Sequence, residues 1–120
     1  MSAELQTVRN TTTGTVIGDQ IRFAGSVASR TRGLMMAAPL KPGQGLVIRP
    51  CTSIHMMWMR FSLDAVFYDR DGRVTKVARH VRPWIGISFG GKGAKGVIEL
   101  PVGAAAGTEV GHQLEFSGRY

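Results

Sequence analysis

The chain contains one cysteine, Cys51, in 120 residues. A single thiol excludes an intramolecular disulfide and any zinc site built from several cysteines. No run approaches the ~18 consecutive apolar residues of a membrane-spanning helix. The opening Met1-Ser2-Ala3-Glu4-Leu5-Gln6 has neither the basic n-region nor the apolar h-region of a secretory leader. These absences lead to the expectation of a cytoplasmic protein without a transmembrane segment. Long amphipathic helical patterns, internal repeats and linkers are also missing. Acidic residues are scarce: 8 Asp and Glu stand against 15 Lys and Arg, a net charge of +7.

What is present fits one folded unit. The length of 120 residues leaves little room for a second domain, which needs about 50 of its own. An apolar fraction of 43% with 19% charged residues argues against a disordered chain. The basic excess favours anionic partners: a small anionic molecule, an acidic protein or peptide, a membrane surface or nucleic acid. The cations are dispersed, however. The nearest groupings are Arg30 with Arg32, then Lys76, Arg79 and Arg82, then Lys92 and Lys95. A solvated basic surface accounts for them equally well.

Sixteen glycines and five prolines punctuate the chain, and short apolar or alternating runs between them read as strands. Such runs span residues 5–9, 20–24, 45–50, 54–61, 63–69, 74–81, 96–100 and 110–116. Asp69-Arg70-Asp71-Gly72 has hairpin chemistry. Ser26 to Met36 is a short helix candidate capped by Ser26 and weakened at Gly33. Pro101 suits the first turn of a second helix over residues 101–107, stopped by Gly107. The glycine-rich stretch 86–96 reads as a loop. The expected fold class is therefore mainly β: a single-domain barrel or sandwich over residues 1–120, with one or two short helices. Residues before about 18 read as a tail or an edge strand.

The segment from Pro50 to Asp64 carries the most chemistry. In an extended strand His55, Met57, Met59 and Phe61 share one face. A His with two thioethers near Cys51 suits a soft metal, but methionines are also adaptable core fillers, and the core reading is preferred. Cys51 and His55 form a nucleophile–base pair only on paper. Arg60 and Asp64 interrupt an apolar stretch, where a charge is costly unless partnered. Either they pair with each other, or Asp64 accepts backbone amides near Ser62, or Arg60 faces a cleft and awaits a carboxylate or phosphate. The loop around Gly90-Gly91-Lys92-Gly93 resembles a phosphate cradle superficially but lacks the G-x-x-x-x-G-K-[ST] order. Arg82, Trp84, Phe89 and Lys92 could meet single-stranded nucleic acid, or simply anchor a loop.

The succession Arg32-Gly33-Leu34-Met35, then His55 through Met59-Arg60 to Leu63-Asp64, then Glu99-Leu100-Pro101-Val102-Gly103 resembles the domain of unknown function 192 family. That family is also known as uncharacterised protein family 0127. The resemblance runs over about residues 20–117. It implies a compact β-rich domain with one or two short helices and carries no established reaction. Ser62 stands where many members have a proline before the Leu-Asp element. The landmark positions carried over are Arg32, Gly33, Met35, His55 and Met59, followed by Arg60, Asp64, Glu99, Pro101 and Gly103. Gly33, Gly103 and Pro101 suit turns. Polar Arg32, His55, Arg60, Asp64 and Glu99, with Trp58, are the candidate ligand-binding residues. The expectation is a binding or accessory module with a cleft near His55, Arg60 and Asp64 for an anionic small molecule or extended peptide. A small enzyme using His55 and Asp64 as acid–base groups is the alternative, and nucleic-acid binding through a basic face the next. No catalytic residue, metal or cofactor is expected.

Overall fold

Runs of Val, Ile and aromatic residues at alternating positions favour pleated strands, because branched and ring side chains pack well on a sheet surface. A computed structural model describes residues 5–24, 38–55 and 59–120, with His55 described through its backbone only. The described residues form β1 (Gln6–Asn10), β2 (Thr15–Phe23), β3 (Gln44–Ile48), β4 (Ser53–His55) and β5 (Leu63–Tyr68). They continue through β6 (Val74–Val81), β7 (Ile87–Phe89), β8 (Gly96–Leu100) and β9 (Leu114–Phe116). Seven of these strands make one sheet in the order β6-β5-β8-β3-β2-β1-β9, and β4 with β7 makes a two-stranded flap. Every pairing is antiparallel except β2 with β3.

The sheet curls into a half-barrel. Its two edges touch at one corner, where Arg73 bridges Gln113. There the Val74 amide donates to His112 O at 2.9 Å, and the Leu114 amide to Gly72 O at 2.9 Å. Beyond that corner β6 has β5 as its strand neighbour and an open outer edge. Inside the curl lies a cluster to which every strand of the sheet contributes, including Val8, Ile21, Val47, Val66, Ile98 and Leu114. A second cluster on the outer face joins Leu46, Ile48, Leu63, Ala65, Phe67 and Val97 to Ile54 of the flap. Strand β5 serves both: Leu63, Ala65 and Phe67 point outward, Val66 and Tyr68 inward, and all six of its residues are buried. The radius of gyration is 12.6 Å, close to the ~13–14 Å expected of one compact unit of this length.

Some sequence expectations are corrected. Residues 101–107 are successive turns rather than a helix. The Ala104 amide meets Pro101 O, Ala106 meets Gly103 O, and Thr108 meets Ala105 O. Gly103 at φ 97° breaks helical geometry, and the amides of Gly103 and Ala105 turn towards a carboxylate on β5. The helix expected over 26–36 lies outside the described residues. The long strand expected over 54–61 is shorter: β4 covers Ser53–His55, and residues 59–61 are not extended pairing partners. Strand β1 is neither tail nor edge but lies between β2 and β9. The glycine-rich stretch contains β7, which pairs with β4.

Tyr68 sits at the inner end of β5, with its ring 4.9 Å from Phe116, which stacks on Tyr120 at 4.4 Å. Its hydroxyl is buried without a hydrogen-bond partner among the described residues. Gly96 leaves room for it: a Cβ there would collide with the Tyr68 hydroxyl. Burial pushes the Tyr68 hydroxyl well above its ordinary value of 10.0, offset in part by the positive charge of Arg49. The unfolded chain releases this proton at lower pH than the folded chain, so folding stability falls as pH rises above 10.0. Tyr68→Phe removes an unpartnered buried polar group. Its urea denaturation midpoint should equal or exceed the wild type's at neutral pH and decline less steeply in alkali. A marked loss of stability at neutral pH would show that the hydroxyl has a bonding role.

Candidate functional site

Asp64 faces into the curl opposite Leu100 of β8 and is 1% exposed. An isolated carboxylate there would be expensive. Backbone amides satisfy it. Oδ1 accepts the His80 amide at 2.9 Å, and Oδ2 accepts the amides of Gly103 at 3.0 Å and Ala105 at 3.1 Å. The donors come from β6 and from the turns after β8, so one side chain ties three segments together. His80 holds a left-handed backbone, φ 55°, unusual for a residue with a Cβ. The amides accepted by Asp64 are thus not those near Ser62. Arg60 is exposed and, among the described residues, forms no ion pair with Asp64.

The remaining candidates separate. Glu99 is fully buried, but it lies opposite Ala65 and Leu46 on the outer face of the sheet. Asp64 and Glu99 therefore sit on neighbouring strands with opposite orientation and do not share a site. The backbone of His55 pairs with Ile87 in the flap. Arg32 and Trp58 lie outside the described residues, as does Met57 of the soft-metal reading. The Cys51 thiol donates to Ser53 O at 3.0 Å. Among the described residues no group of three or more His, Cys, Asp or Glu side chains could hold a metal ion. His112 has a structural part: its Nδ1 accepts the Glu109 amide and contacts the Asn10 side-chain amide, which puts the ring proton on Nε2.

A groove of about 530 Å³ runs between the open edge of β6 and the segment that turns back into β7. Its cationic and titratable lining is Lys76, Arg79, His80 and Arg82, with Ile85 and Ile87 opposite. The Arg79 guanidinium donates to the carbonyls of Ala105 and Thr108, which are not among the lining residues. Leu63 pairs with Val81, so the chain carrying Arg60 leaves β5 at the same end of the sheet at which β6 runs into Arg82. Sequence reasoning did not single out this groove. The available signal was charge of one sign: from Gly72 to Ile98 there are six Lys and Arg and no Asp or Glu.

The model of the DUF192 family, described as an uncharacterized ACR, matches residues 7–116. The chain belongs to the DUF192 family. A UPF0127 protein of Thermococcus sibiricus is 32% identical over 113 residues, covering 89% of this chain and 72% of the relative. Two solved structures share the fold. A protein of unknown function from Novosphingobium aromaticivorans has a TM-score of 0.76 at 22% identity, covering 96% of this chain and 93% of that one. A Sinorhizobium meliloti protein described as a "putative transcription regulator" has a TM-score of 0.79 at 24% identity, covering 99% of this chain and 98% of that one.

The structure gives two DUF192 landmarks one physical purpose. The Leu63-Asp64 element supplies the carboxylate, and the Glu99-Leu100-Pro101-Val102-Gly103 element supplies an amide that it grips. Gly103 is needed where φ is 97°. Asp64→Ala would leave three inward amides without an acceptor. At about 1–3 kcal/mol per unsatisfied group, a loss of at least ~3 kcal/mol is expected in urea denaturation. Asp64→Asn keeps one acceptor oxygen and should fall between. Arg60→Ala should change stability by no more than about 0.5 kcal/mol. A larger loss on removing Arg60 would mean that it braces the fold.

Proposed function

We propose that this chain is a binding module for an anionic partner, taken up in the groove between β6 and the 85–88 segment, with Arg60 at its end. The observation that carries this reading is the single sign of the lining: Lys76, His80 and Arg82 line the groove together with Arg79, whose guanidinium is tied to Ala105 and Thr108, and no acidic residue is among the described lining. Clefts walled by one sign of charge concentrate counter-charged ligands. Guanidinium groups suit carboxylate and phosphate oxygens by their forked geometry. The groove is open along β6, which suits an extended acidic peptide or a small multivalent anion. The backbone of His55 pairs with Ile87, one of the lining residues.

Acid–base catalysis by His55 and Asp64 is the weaker reading. Asp64 is 1% exposed and three amides occupy its oxygens, so a substrate has no approach to it. Nucleic-acid binding has specific support of its own: Trp84 and Phe89 are exposed beside the basic groove, and a structural relative carries a transcription-regulator description. Fluorescence titration with a labelled oligonucleotide tests that reading, since phosphate contacts make affinity fall steeply with salt.

A thermal-shift and calorimetric panel of citrate, a sugar bisphosphate and an acidic peptide tests the main reading. A ligand at 100 times its Kd stabilises by about 2.7 kcal/mol. At least one anion should shift the melting temperature, and Lys76→Glu with Arg82→Glu should abolish the shift while leaving the fold intact. Shifts that persist in the charge-reversed variant would place the ligand elsewhere.

A further inference from the structure

The basic groove is bordered by apolar side chains that are more than half exposed. Within six residues, Trp84 is 52% exposed, Ile85 77%, Ile87 62% and Phe89 66%. Single exposed apolar residues are ordinary, but four within six residues make a patch, and an exposed apolar patch with a polar rim marks an interaction site. The ridge is shaped by the backbone. Trp84 holds a left-handed φ of 68°, and the Gly86 amide closes the turn onto Arg82 O at 2.9 Å. Gly86 itself is packed so closely against Arg82 and Val81 that a Cβ would collide. In β7, Ser88 points inward and Ile87 and Phe89 point out. The ridge is thus presented on a constrained turn and a paired strand.

The segment that carries the ridge has charge of one sign. The segment from Gly72 to Ile98 holds Arg73, Lys76, Arg79, Arg82, Lys92 and Lys95 and no acidic residue, so it carries +6 of the chain's +7. Lys76, Arg82, Lys92 and Lys95 are exposed. The turn bearing Lys92 lies beside the start of β6, where the Thr75 hydroxyl donates to Gly90 O at 2.7 Å. Two copies of so basic a face repel each other, which disfavours self-association through the ridge. Base stacking would use Trp84 and Phe89 but give no work to the two isoleucines, which are the ridge's aliphatic members. An anionic lipid surface uses all of it: headgroups meet the lysines and arginines, and Trp, Phe and Ile enter the boundary between headgroups and acyl chains.

We propose that residues 84–89 form a membrane-docking ridge that seats this domain on anionic lipid through the basic face of β6. The inference rests on the reading that the β6 groove attracts anions, and names the headgroup layer as their source. The ridge enters the interface and does not span the bilayer.

The test is co-sedimentation of the full chain with vesicles of phosphatidylcholine, with and without phosphatidylglycerol, alongside tryptophan fluorescence. Binding is expected only where phosphatidylglycerol is present. It should come with a blue shift that Trp84→Phe removes, and it should weaken with added salt. Phe89→Ser, at a ridge position that does not line the groove, should lower vesicle affinity at least tenfold while leaving binding of the soluble anions unchanged. Lys76→Glu with Arg82→Glu should abolish both. Melting curves of the variants check that these exposed substitutions leave the fold intact. Failure to bind phosphatidylglycerol vesicles at low salt overturns the inference. If a soluble anion still binds, the groove reading survives; if neither binds, both fall. Undiminished vesicle binding by the Phe89→Ser variant, or preference for an oligonucleotide over the vesicles, likewise overturns a docking ridge.

Discussion

The Asp64 carboxylate is the contact on which the end of the sheet depends. Three amides from two distant segments converge on it, and each has its strand or turn fixed as a result. Hydrogen bonds to a charged acceptor are stronger than neutral ones, and the carboxylate that accepts these is itself buried. The chain after β8 cannot wind into a helix while Gly103 and Ala105 direct their amides at β5. The end of β6 cannot continue as a regular strand while His80 turns its amide to the same group. One side chain therefore decides how the half-barrel is stopped, and it does so from within the strand that both core clusters share.

That arrangement separates folding from binding. Asp64 and Glu99, the two buried carboxyl residues among the candidates, look into opposite sides of the sheet and are enclosed. The exposed cations lie instead on the outer edge of β6, where the curl opens after its corner at Arg73 and Gln113. Arg79 links the two regions. Its guanidinium donates to the carbonyls of Ala105 and Thr108, so the turns gripped by Asp64 are also tied to the strand that lines the basic groove. A sheet edge must be covered, blunted by charge or used. Lys76, Arg79 and Arg82 blunt this one against pairing with another strand and at the same time make it a site for anions.

The β character was legible because alternation of size and polarity survives in the residues themselves. Val74 to Val81 and Gly96 to Leu100 were read with the bounds the structure has. Residues 101–107 were misread because proline followed by small apolar residues is a fair helix start, and the competing acceptor, Asp64, lies 39 residues away from Gly103 in sequence. Proximity in the chain offers Arg60 or the amides near Ser62 as partners for Asp64; the donors are backbone amides, but those of His80, Gly103 and Ala105, distant in sequence. The groove escaped notice for a similar reason. Its cations are spaced through β6, and only the fold sets them facing Ile85 and Ile87. The DUF192 landmarks were visible as letters, but their shared purpose became visible only as hydrogen bonds.

Amide hydrogen exchange at Gly103 and Ala105 tests the central claim most directly. Both residues lie in a run of turns, Gly103 exposed and Ala105 buried, and exposed amides without an acceptor exchange freely with solvent. The account predicts that these two, with His80, are strongly protected, and that neighbouring Val102 and Gly107 exchange quickly. If Gly103 and Ala105 exchanged as fast as Val102 and Gly107, the carboxylate would not be holding them, and the structural role given to Asp64 would be contradicted.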